Sequence, residues 1–233
     1  MNLYDLQHIL YIVITAILTV VGLILIKKFC KSQKLAILIA AAALLVVFIW
    51  NRLSLAIVEK DALKLLPYSF CSLTSLLLSV LTLSMKNRNH PVFHCVLYLA
   101  ILGPILTFIY PAFVIGIDAS IFGMRTISGM LHHSLALFLA ILLLMFGEFK
   151  PDWRKWWCLT LGLCVYATFG FFEIRALGFS NAMDLNAPFI PGTFFWWYVV
   201  GPMVAIGIPL IVFCYEQIHK KLKKTVDIEK SKL

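Results

Sequence analysis

Long apolar runs separated by short polar gaps dominate the sequence. Seven stretches contain no Asp, Glu, Lys or Arg: residues 6–26, 35–51, 65–85, 89–117, 126–147, 156–172 and 185–215. Each is close to or above the roughly 17–25 residues that a membrane-spanning helix needs, and the second run continues past Arg52 to Val58. A spanning β-barrel would instead show alternating polar and apolar residues. The pattern therefore predicts an all-α, polytopic membrane protein built as a bundle of seven transmembrane helices.

The composition agrees with this prediction. Hydrophobic residues make up 62% of the 233 residues, and charged residues only 13%; the usual apolar share is about 45–50%. Such a low charge excludes a water-soluble domain, and it also excludes disorder, which requires the opposite balance. The net charge of +9 could indicate a nucleic-acid partner, but that function needs a basic patch on a folded surface. Here the basic residues lie in the gaps between apolar runs, so no nucleic-acid partner is predicted.

The placement of the basic residues predicts the orientation in the membrane. With the N-terminus outside, fifteen of the twenty Lys and Arg residues fall in cytoplasmic segments, four fall outside, and Arg52 lies within a span. We therefore expect the N-terminus outside and the C-terminus in the cytoplasm. Residues 1–215 would form a single transmembrane domain, and residues 216–233 a basic cytoplasmic tail. The six cysteines form no CxxC pair, and we predict no metal and no cofactor.

Polar side chains within the spans are candidates for function, because a polar group in hydrocarbon is costly. On the predicted topology most of them lie near the outer ends of their helices: His8, Asn51, Arg52, Cys71, His132 and His133. By the same test the inner half has only His94 and Cys95. We therefore expect an outward-facing cavity lined by the outer set. Only one of the two adjacent histidines should face it, since neighbouring helical residues point about 100° apart.

Cys71 is the candidate nucleophile in this set. A thiol reacts as the thiolate, which a neighbouring histidine or a positive field favours. Pro67 suits the first position of a helix, and Cys71 would then lie just past the first turn, where the helix dipole still favours an anion. Arg52 could hold a phosphate or carboxylate headgroup. Together these groups would serve acyl transfer through a thioester, or simple ligand binding.

Several short motifs carry a resemblance to a known family. The segment Leu66-Pro67-Tyr68-Ser69-Phe70-Cys71-Ser72 resembles the Leu-Pro-x-His-x-Cys motif of the YwaF-like bacterial integral membrane proteins. Further matches follow in the same order over nearly the whole chain: His8 at the start of helix 1, His133-Ser134-Leu135 in helix 5, Asn181-Ala182-Met183, a later proline and Trp197-Tyr198. Two positions depart from the family pattern, since Ser69 replaces the motif histidine and Ala182 replaces a tyrosine.

The resemblance implies a reaction class. The family is related to a vertebrate multi-pass acyltransferase that remodels ether phospholipids through a cysteine and a histidine. By that relation Cys71 matches the nucleophile and His133 the base, in a protein of the bacterial cell membrane. The expected substrates are membrane lipids, either a lysophospholipid or an acyl-lipid. The residues expected to contact substrate are Asn51, Arg52, His8, Ser69, His132, Asn181, Trp197 and Tyr198.

Two functions therefore stay open at the level of the sequence. The first is a lipid-modifying enzyme, a cysteine-dependent phospholipid acyltransferase or acyl hydrolase. The second is a substrate-capture or transport membrane protein without catalysis, with the aromatic residues of the last outer loop as a lid over its cavity. The identity of the substrate and the oligomeric state do not follow from the sequence.

Overall fold

The computed structural model describes residues 6–110 and 122–230. Within these ranges the secondary structure is entirely helical, with no strand. The seven α-helices are α1 Leu6–Phe29, α2 Gln33–Glu59, α3 Phe70–Ser84, α4 Pro91–Ile109, α5 Met124–Met145, α6 Trp156–Leu177 and α7 Trp197–Lys230. Two short 3-10 helices, Ala62–Leu65 and Trp153–Lys155, precede α3 and α6. Seven helices are thus confirmed in the described part of the chain, and the protein is a multi-pass membrane protein.

Six of these helices are long and apolar enough to cross a membrane, whereas α3 is shorter. Its 15 residues extend over about 22 Å at 1.5 Å per residue, less than the roughly 30 Å of a hydrocarbon core. The predicted span over 65–85 was therefore too long at its N-terminal end. Pro67 explains the difference, because a residue before proline is driven to extended backbone, and Leu66 has ψ 151°.

Two other helix ends can be compared with the prediction. Within the predicted run of residues 89–117, α4 begins at Pro91 with His90 as its N-cap; residues 111–117 of that run lie outside the described residues. α7 continues without a break through residue 215 to Lys230, so the predicted tail begins as an extension of the last helix. The sidedness of the termini stays a prediction. We call the end of the bundle that carries the N-termini of α3 and α5 the outer end, in keeping with that prediction.

The centre of the bundle is formed by α2, α3, α4 and α5, which pack against one another. Their contacts bury an apolar core that includes Ile37, Leu44, Leu97 and Leu139. α6 packs on the far side of α4, α7 packs on α6, and α1 lies at the periphery against α5 and α2. The outward surfaces of the peripheral helices are apolar, as lipid-facing surfaces must be. The core helices α2, α3 and α5 carry five of the predicted site residues, Asn51, Arg52, Cys71, His132 and His133.

Candidate functional site

Cys71 lies in the first turn of α3, closer to the helix N-terminus than predicted. Pro67 is not the first helical residue; α3 begins at Phe70, after the N-cap Ser69. The Ser69 hydroxyl accepts a hydrogen bond from the Ser72 N–H at 3.3 Å, and the Ser69 N–H donates to the Ser72 hydroxyl at 3.1 Å. This reciprocal capping fixes the start of the helix. It gives Ser69 a structural role and leaves Cys71 where unpaired backbone N–H groups favour an anion.

The sulfur of Cys71 packs directly on α4. A Cβ atom added to Gly103 would lie 2.9 Å from Cys71 Sγ, so the close approach of the thiol depends on the missing side chain. The Thr107 side chain lies within hydrogen-bonding range of the thiol, while its hydroxyl donates to the Gly103 carbonyl at 3.0 Å. Asp184 and Arg52 both act electrostatically on the thiol. The Cys71 thiol therefore packs against the α4 backbone at Gly103 on one side and is influenced by the polar side chains of Thr107, Asp184 and Arg52.

Arg52 is the central charge of the site. Its guanidinium donates to the Leu66 carbonyl at 3.3 Å and to Asn51 Oδ1 at 2.7 Å, and it lies over the Tyr68 ring at 5.2 Å. Asn51 in turn donates to the Ser128 hydroxyl at 3.1 Å, which ties α2 to α5. Arg52 is only 6% exposed, and its Nε atom has no hydrogen-bond partner. No carboxylate forms a salt bridge with it within the described ranges, so its charge is available to a ligand.

The two adjacent histidines of α5 are both buried beside Arg52. His132 and His133 are 3% and 7% exposed, their ring centroids are 4.6 Å apart, and Arg52 acts electrostatically on both. The structure encloses both rings, and the expectation that only one of them faces a cavity stays a prediction. α5 is surrounded by α1, α2, α3 and α4, so directions 100° apart both point into protein.

The histidines differ in their relation to Cys71. His132 interacts with the Cys71 backbone, whereas the corresponding interaction is not seen for His133. His132 Nε2 and His133 Nδ1 have no hydrogen-bond partner. No hydrogen bond joins the thiol to either imidazole in the part of the chain that the structure describes. The two rings therefore form a pair in which His132 is the one that interacts with Cys71, and each ring has a nitrogen without a hydrogen-bond partner.

Glu173 is a member of the site that was not among the predicted residues. Its side chain, near the end of α6, has 0% exposure, and neither carboxyl oxygen has a hydrogen-bond partner. Arg52 acts on it electrostatically without forming a salt bridge. The signal in the sequence is a single charge at the end of an apolar run, which is equally typical of an interfacial residue. Only the packing of α6 shows that this carboxyl is enclosed.

The loop after α6 is fixed over the N-terminus of α3. The Met183 N–H donates to the Tyr68 carbonyl at 2.9 Å, three residues before Cys71. Asn181 donates from its amide to Asp184 Oδ1 at 3.4 Å and accepts from the Asn186 N–H at 3.0 Å. Asn181 thus orders the loop. Burial raises the pKa of the Asp184 carboxyl to about 6, although the hydrogen bond from Asn181 acts in the opposite direction.

Aromatic rings stack on Phe70, the residue that precedes Cys71 in α3. Phe70 stacks on Trp197 at 4.8 Å and on Tyr166 at 5.5 Å between ring centroids. Trp197 therefore lies next to the predicted site. Tyr198 does not, since it is 71% exposed and stacks on Trp196 at 6.2 Å. As successive residues in the first turn of α7, Trp197 and Tyr198 point in different directions.

The structure brings five of the ten predicted site residues together in one buried cluster, with Ser128 and Glu173 added. We call it the outer cluster: Asn51, Arg52, Cys71, Ser128, His132, His133 and Glu173. The side chain of His8 lies outside the described residues. No three His, Cys, Asp or Glu side chains assemble as a metal site within 6–110 and 122–230. The cluster offers a thiol, two imidazoles, a guanidinium and a carboxyl, a set suited to nucleophilic chemistry or to polar-ligand binding.

Comparison with known proteins gives one match. Residues 3–215 match the model of the TMEM164 family, a range that includes every helix contributing to the outer cluster. No curated protein and no solved structure matches the chain. The family match therefore supplies the relationship, and the function has to be argued from the site itself.

Proposed function

The chain belongs to the TMEM164 family of multi-pass membrane proteins, and from this premise we propose that it is a membrane-embedded lipid acyl-transfer or acyl-hydrolysis enzyme. Cys71 is the nucleophile, and a histidine of α5 exchanges its proton. The observation that carries the proposal is the position of Cys71 in the first turn of α3, where Arg52 acts on the thiol and His132 interacts with the Cys71 backbone. His132 and His133 each keep an unpartnered nitrogen. Unpaired buried polar atoms are rare in proteins, and each calls for a ligand or a chemical role.

The reaction follows from these groups. A histidine accepts the Cys71 S–H proton, and the sulfur attacks the carbonyl carbon of an acyl ester. The ester C–O bond breaks, the departing oxygen takes the proton from the histidine, and the acyl group stays on Cys71 as a thioester. A lysolipid hydroxyl or water then attacks the thioester carbonyl, and the C–S bond breaks to restore the thiol. Phospholipids supply the acyl ester, and lysolipids or water supply the hydroxyl, so this reaction needs no cofactor.

The remaining residues of the site have matching roles. Arg52 binds the phosphate of the lipid through its free Nε–H, because a guanidinium forms strong hydrogen bonds with phosphate oxygens. Asn51 and the Leu66 carbonyl hold the guanidinium in place. The stacked Phe70 and Trp197 rings give the acyl chain an apolar surface at the first turn of α3. His133 is the base implied by the family resemblance. His132, which interacts with the Cys71 backbone, is the second imidazole available for proton transfer. The missing thiol–imidazole hydrogen bond is compatible with this role, since catalytic hydrogen bonds often tighten only with substrate bound.

A trapped acyl-enzyme tests the proposal. The purified protein is incubated with phospholipid in detergent micelles, and the intact mass is then measured before and after neutral hydroxylamine, which cleaves thioesters. We expect an acyl adduct on the wild type that hydroxylamine removes, and no adduct on Cys71→Ala. Cys164→Ala is the matched control, because Cys164 is an exposed cysteine of α6. An adduct that persists in Cys71→Ala, or no adduct on any form, would contradict the proposal.

A substrate-capture or transport protein without catalysis is the second candidate. It is favoured by the absence of a hydrogen bond between the Cys71 thiol and either imidazole among the described residues. The free atoms of the outer cluster would then bind a polar ligand and perform no chemistry. The same experiment separates the two functions, because a lipid that co-purifies equally with wild type and Cys71→Ala, and never forms an adduct, supports capture.

A further inference from the structure

Asp184 adopts an unusual backbone conformation next to the candidate nucleophile. Met183 and Asp184 are consecutive residues with φ of 48° and 49°, in the left-handed region that non-glycine residues seldom occupy. Aspartate tolerates this region better than methionine does. Strained residues of this kind persist only where the surrounding structure determines them, and they concentrate at active sites.

Contacts on both sides of the loop impose this conformation. The Met183 N–H donates to the Tyr68 carbonyl, and the Met183 side chain is fully buried in the cluster that includes Phe70. Gly170 of α6 makes room for it, since an added Cβ there would lie 2.8 Å from Met183. The loop is thereby fastened to the segment that leads into Cys71. The half-buried Asp184 carboxyl is held by Asn181 and acts electrostatically on the thiol.

The charge of Asp184 distinguishes the two halves of the proposed reaction. A carboxylate that acts electrostatically on the sulfur repels a thiolate, so it does not help the attack that forms the thioester. Once an acyl group is on Cys71, the sulfur carries no charge and this repulsion disappears. The same carboxylate, held in a loop that is hydrogen-bonded to the segment leading into Cys71, can then accept the proton of the hydroxyl that attacks the thioester. As a base, the Asp184 carboxylate therefore suits only the second half of the reaction, the removal of the acyl group from Cys71.

We propose that Asp184 is the general base of the second half-reaction, in which a hydroxyl takes the acyl group from Cys71. The inference rests on the function proposed above. The carboxylate accepts the proton of the incoming hydroxyl while the oxygen bonds to the thioester carbonyl carbon. The C–S bond then breaks, and the proton passes from the Asp184 carboxyl to the departing sulfur. The products are a new ester, or a free acid when the hydroxyl is water, with the thiol and the carboxylate restored.

The titration of Asp184 agrees with this role. With a pKa of about 6, the carboxyl is mostly ionised at neutral pH and can still hold a proton briefly, as general bases do best when their pKa lies near the working pH. The Asn181 amide of the same loop donates to the Asp184 carboxyl, and Asp184 and Arg52 of α2 both act electrostatically on the Cys71 thiol of α3.

Acylation and deacylation can be measured separately with p-nitrophenyl butyrate as the probe and the full chain in detergent micelles. Nitrophenolate release in the first turnover reports acylation of Cys71, and the steady-state rate reports deacylation. We expect Asp184→Asn to keep the first-turnover release and to lose roughly 100-fold or more in the steady-state rate, the contribution of a positioned general base. Butyryl-enzyme should accumulate in the intact mass. The wild-type deacylation rate should rise with pH through about 6, and that of the variant should not.

Two further variants control for the fold. Asp184→Gly removes the carboxyl and accepts a positive φ, so it should reproduce the kinetic loss without strain. Asp61→Asn, a neutralised aspartate in another loop that can still cap the Ala62–Leu65 helix, should leave both rates unchanged. Added monoacylglycerol separates the two hydroxyl sources, since a lipid acceptor yields butyryl-glycerolipid and water yields butyrate.

The outcomes separate this inference from the proposed function. No first-turnover release that depends on Cys71 would overturn both. A wild-type level of steady-state turnover in Asp184→Asn, with normal acylation, would overturn the role of Asp184 alone. Loss of acylation and deacylation together in Asp184→Gly would also overturn it, because the residue would then be needed for the structure of the site.

Discussion

The two ends of the helix bundle both bury histidine beside a basic residue, but they use their polar atoms differently. At the inner end, Lys155 donates to His94 Nε2 at 3.1 Å and to the Asn89 carbonyl at 3.2 Å, and His94 Nδ1 contacts the Tyr98 hydroxyl at 3.4 Å. Arg88 pairs with Glu148 at 3.0 Å. We call these residues the inner cluster: Arg88, Asn89, His94, Tyr98, Glu148 and Lys155.

The outer cluster leaves far more of its atoms without partners. Seven buried side-chain nitrogen or oxygen atoms lack a hydrogen bond in the described part of the chain, and five of them belong to Arg52, His132, His133 and Glu173. Leaving a buried polar group unpaired costs about 1–3 kcal/mol. A site that serves only stability would pair these atoms and avoid this cost, as at the inner end, where both ring nitrogens of His94 have partners. The outer arrangement is therefore better explained by a ligand that completes it.

The largest expected effect contrasts the histidines of the two ends. His133→Gln should slow the acylation of Cys71 by roughly 10²-fold or more, because it removes a proton-transfer group. His94→Gln should leave acylation unchanged, since His94 lies at the other end and its partners are structural. The measurement is the first-turnover release of nitrophenolate from p-nitrophenyl butyrate.

His132→Gln completes this comparison, because His132 is the ring that interacts with the Cys71 backbone. A greater loss in His132→Gln than in His133→Gln would reassign the base within the pair and leave the comparison intact. Equal losses in His133→Gln and His94→Gln would break it, since the two ends would then contribute alike.

Removing a carboxyl group should change the free energy of unfolding in opposite directions at the two ends. Glu148→Met removes the partner of Arg88 and should lower the free energy of unfolding by about 1.5–3 kcal/mol, the range for hydrogen bonds to charged groups. Glu173→Met removes a buried carboxyl that has no partner and should raise it by about 1–3 kcal/mol. Thermal unfolding of both variants in the same detergent measures the difference. A destabilised Glu173→Met would mean that the carboxyl has a structural partner, and the contrast would fail.

The helices could be predicted from the sequence, whereas the contacts that distinguish the two ends of the bundle could not. Run lengths suffice to predict the number of helices, because hydrocarbon thickness and backbone hydrogen bonding restrict the options, whereas the orientation drawn from the basic residues stays a prediction. The start of α3 was misplaced because Pro67 and Ser69 are both good start signals, and the bond between Ser69 and Ser72 decides between them. Glu173 and Asp184 were not predicted as site residues, since their enclosure depends on how α6 and its following loop pack on α3. Pairing at the inner end, such as Lys155 with His94, depends on tertiary contacts in the same way.

The smallest expected effect is a pH dependence of stability at the outer end. The pKa of Asp184 is raised from 3.8 to about 6, so the folded protein disfavours its charged form. Its contribution to stability is therefore greatest below pH 3.8 and declines as the pH rises through about 6. Asp184→Asn lacks this decline, so its melting temperature should gain on that of the wild type between pH 4 and pH 7, by a few degrees at most. Asp184→Gly should show the same trend, because it removes the same charge. A gap that widens toward acid pH would instead mean that the ionised carboxylate stabilises the fold, which would make the outer end resemble the paired inner one.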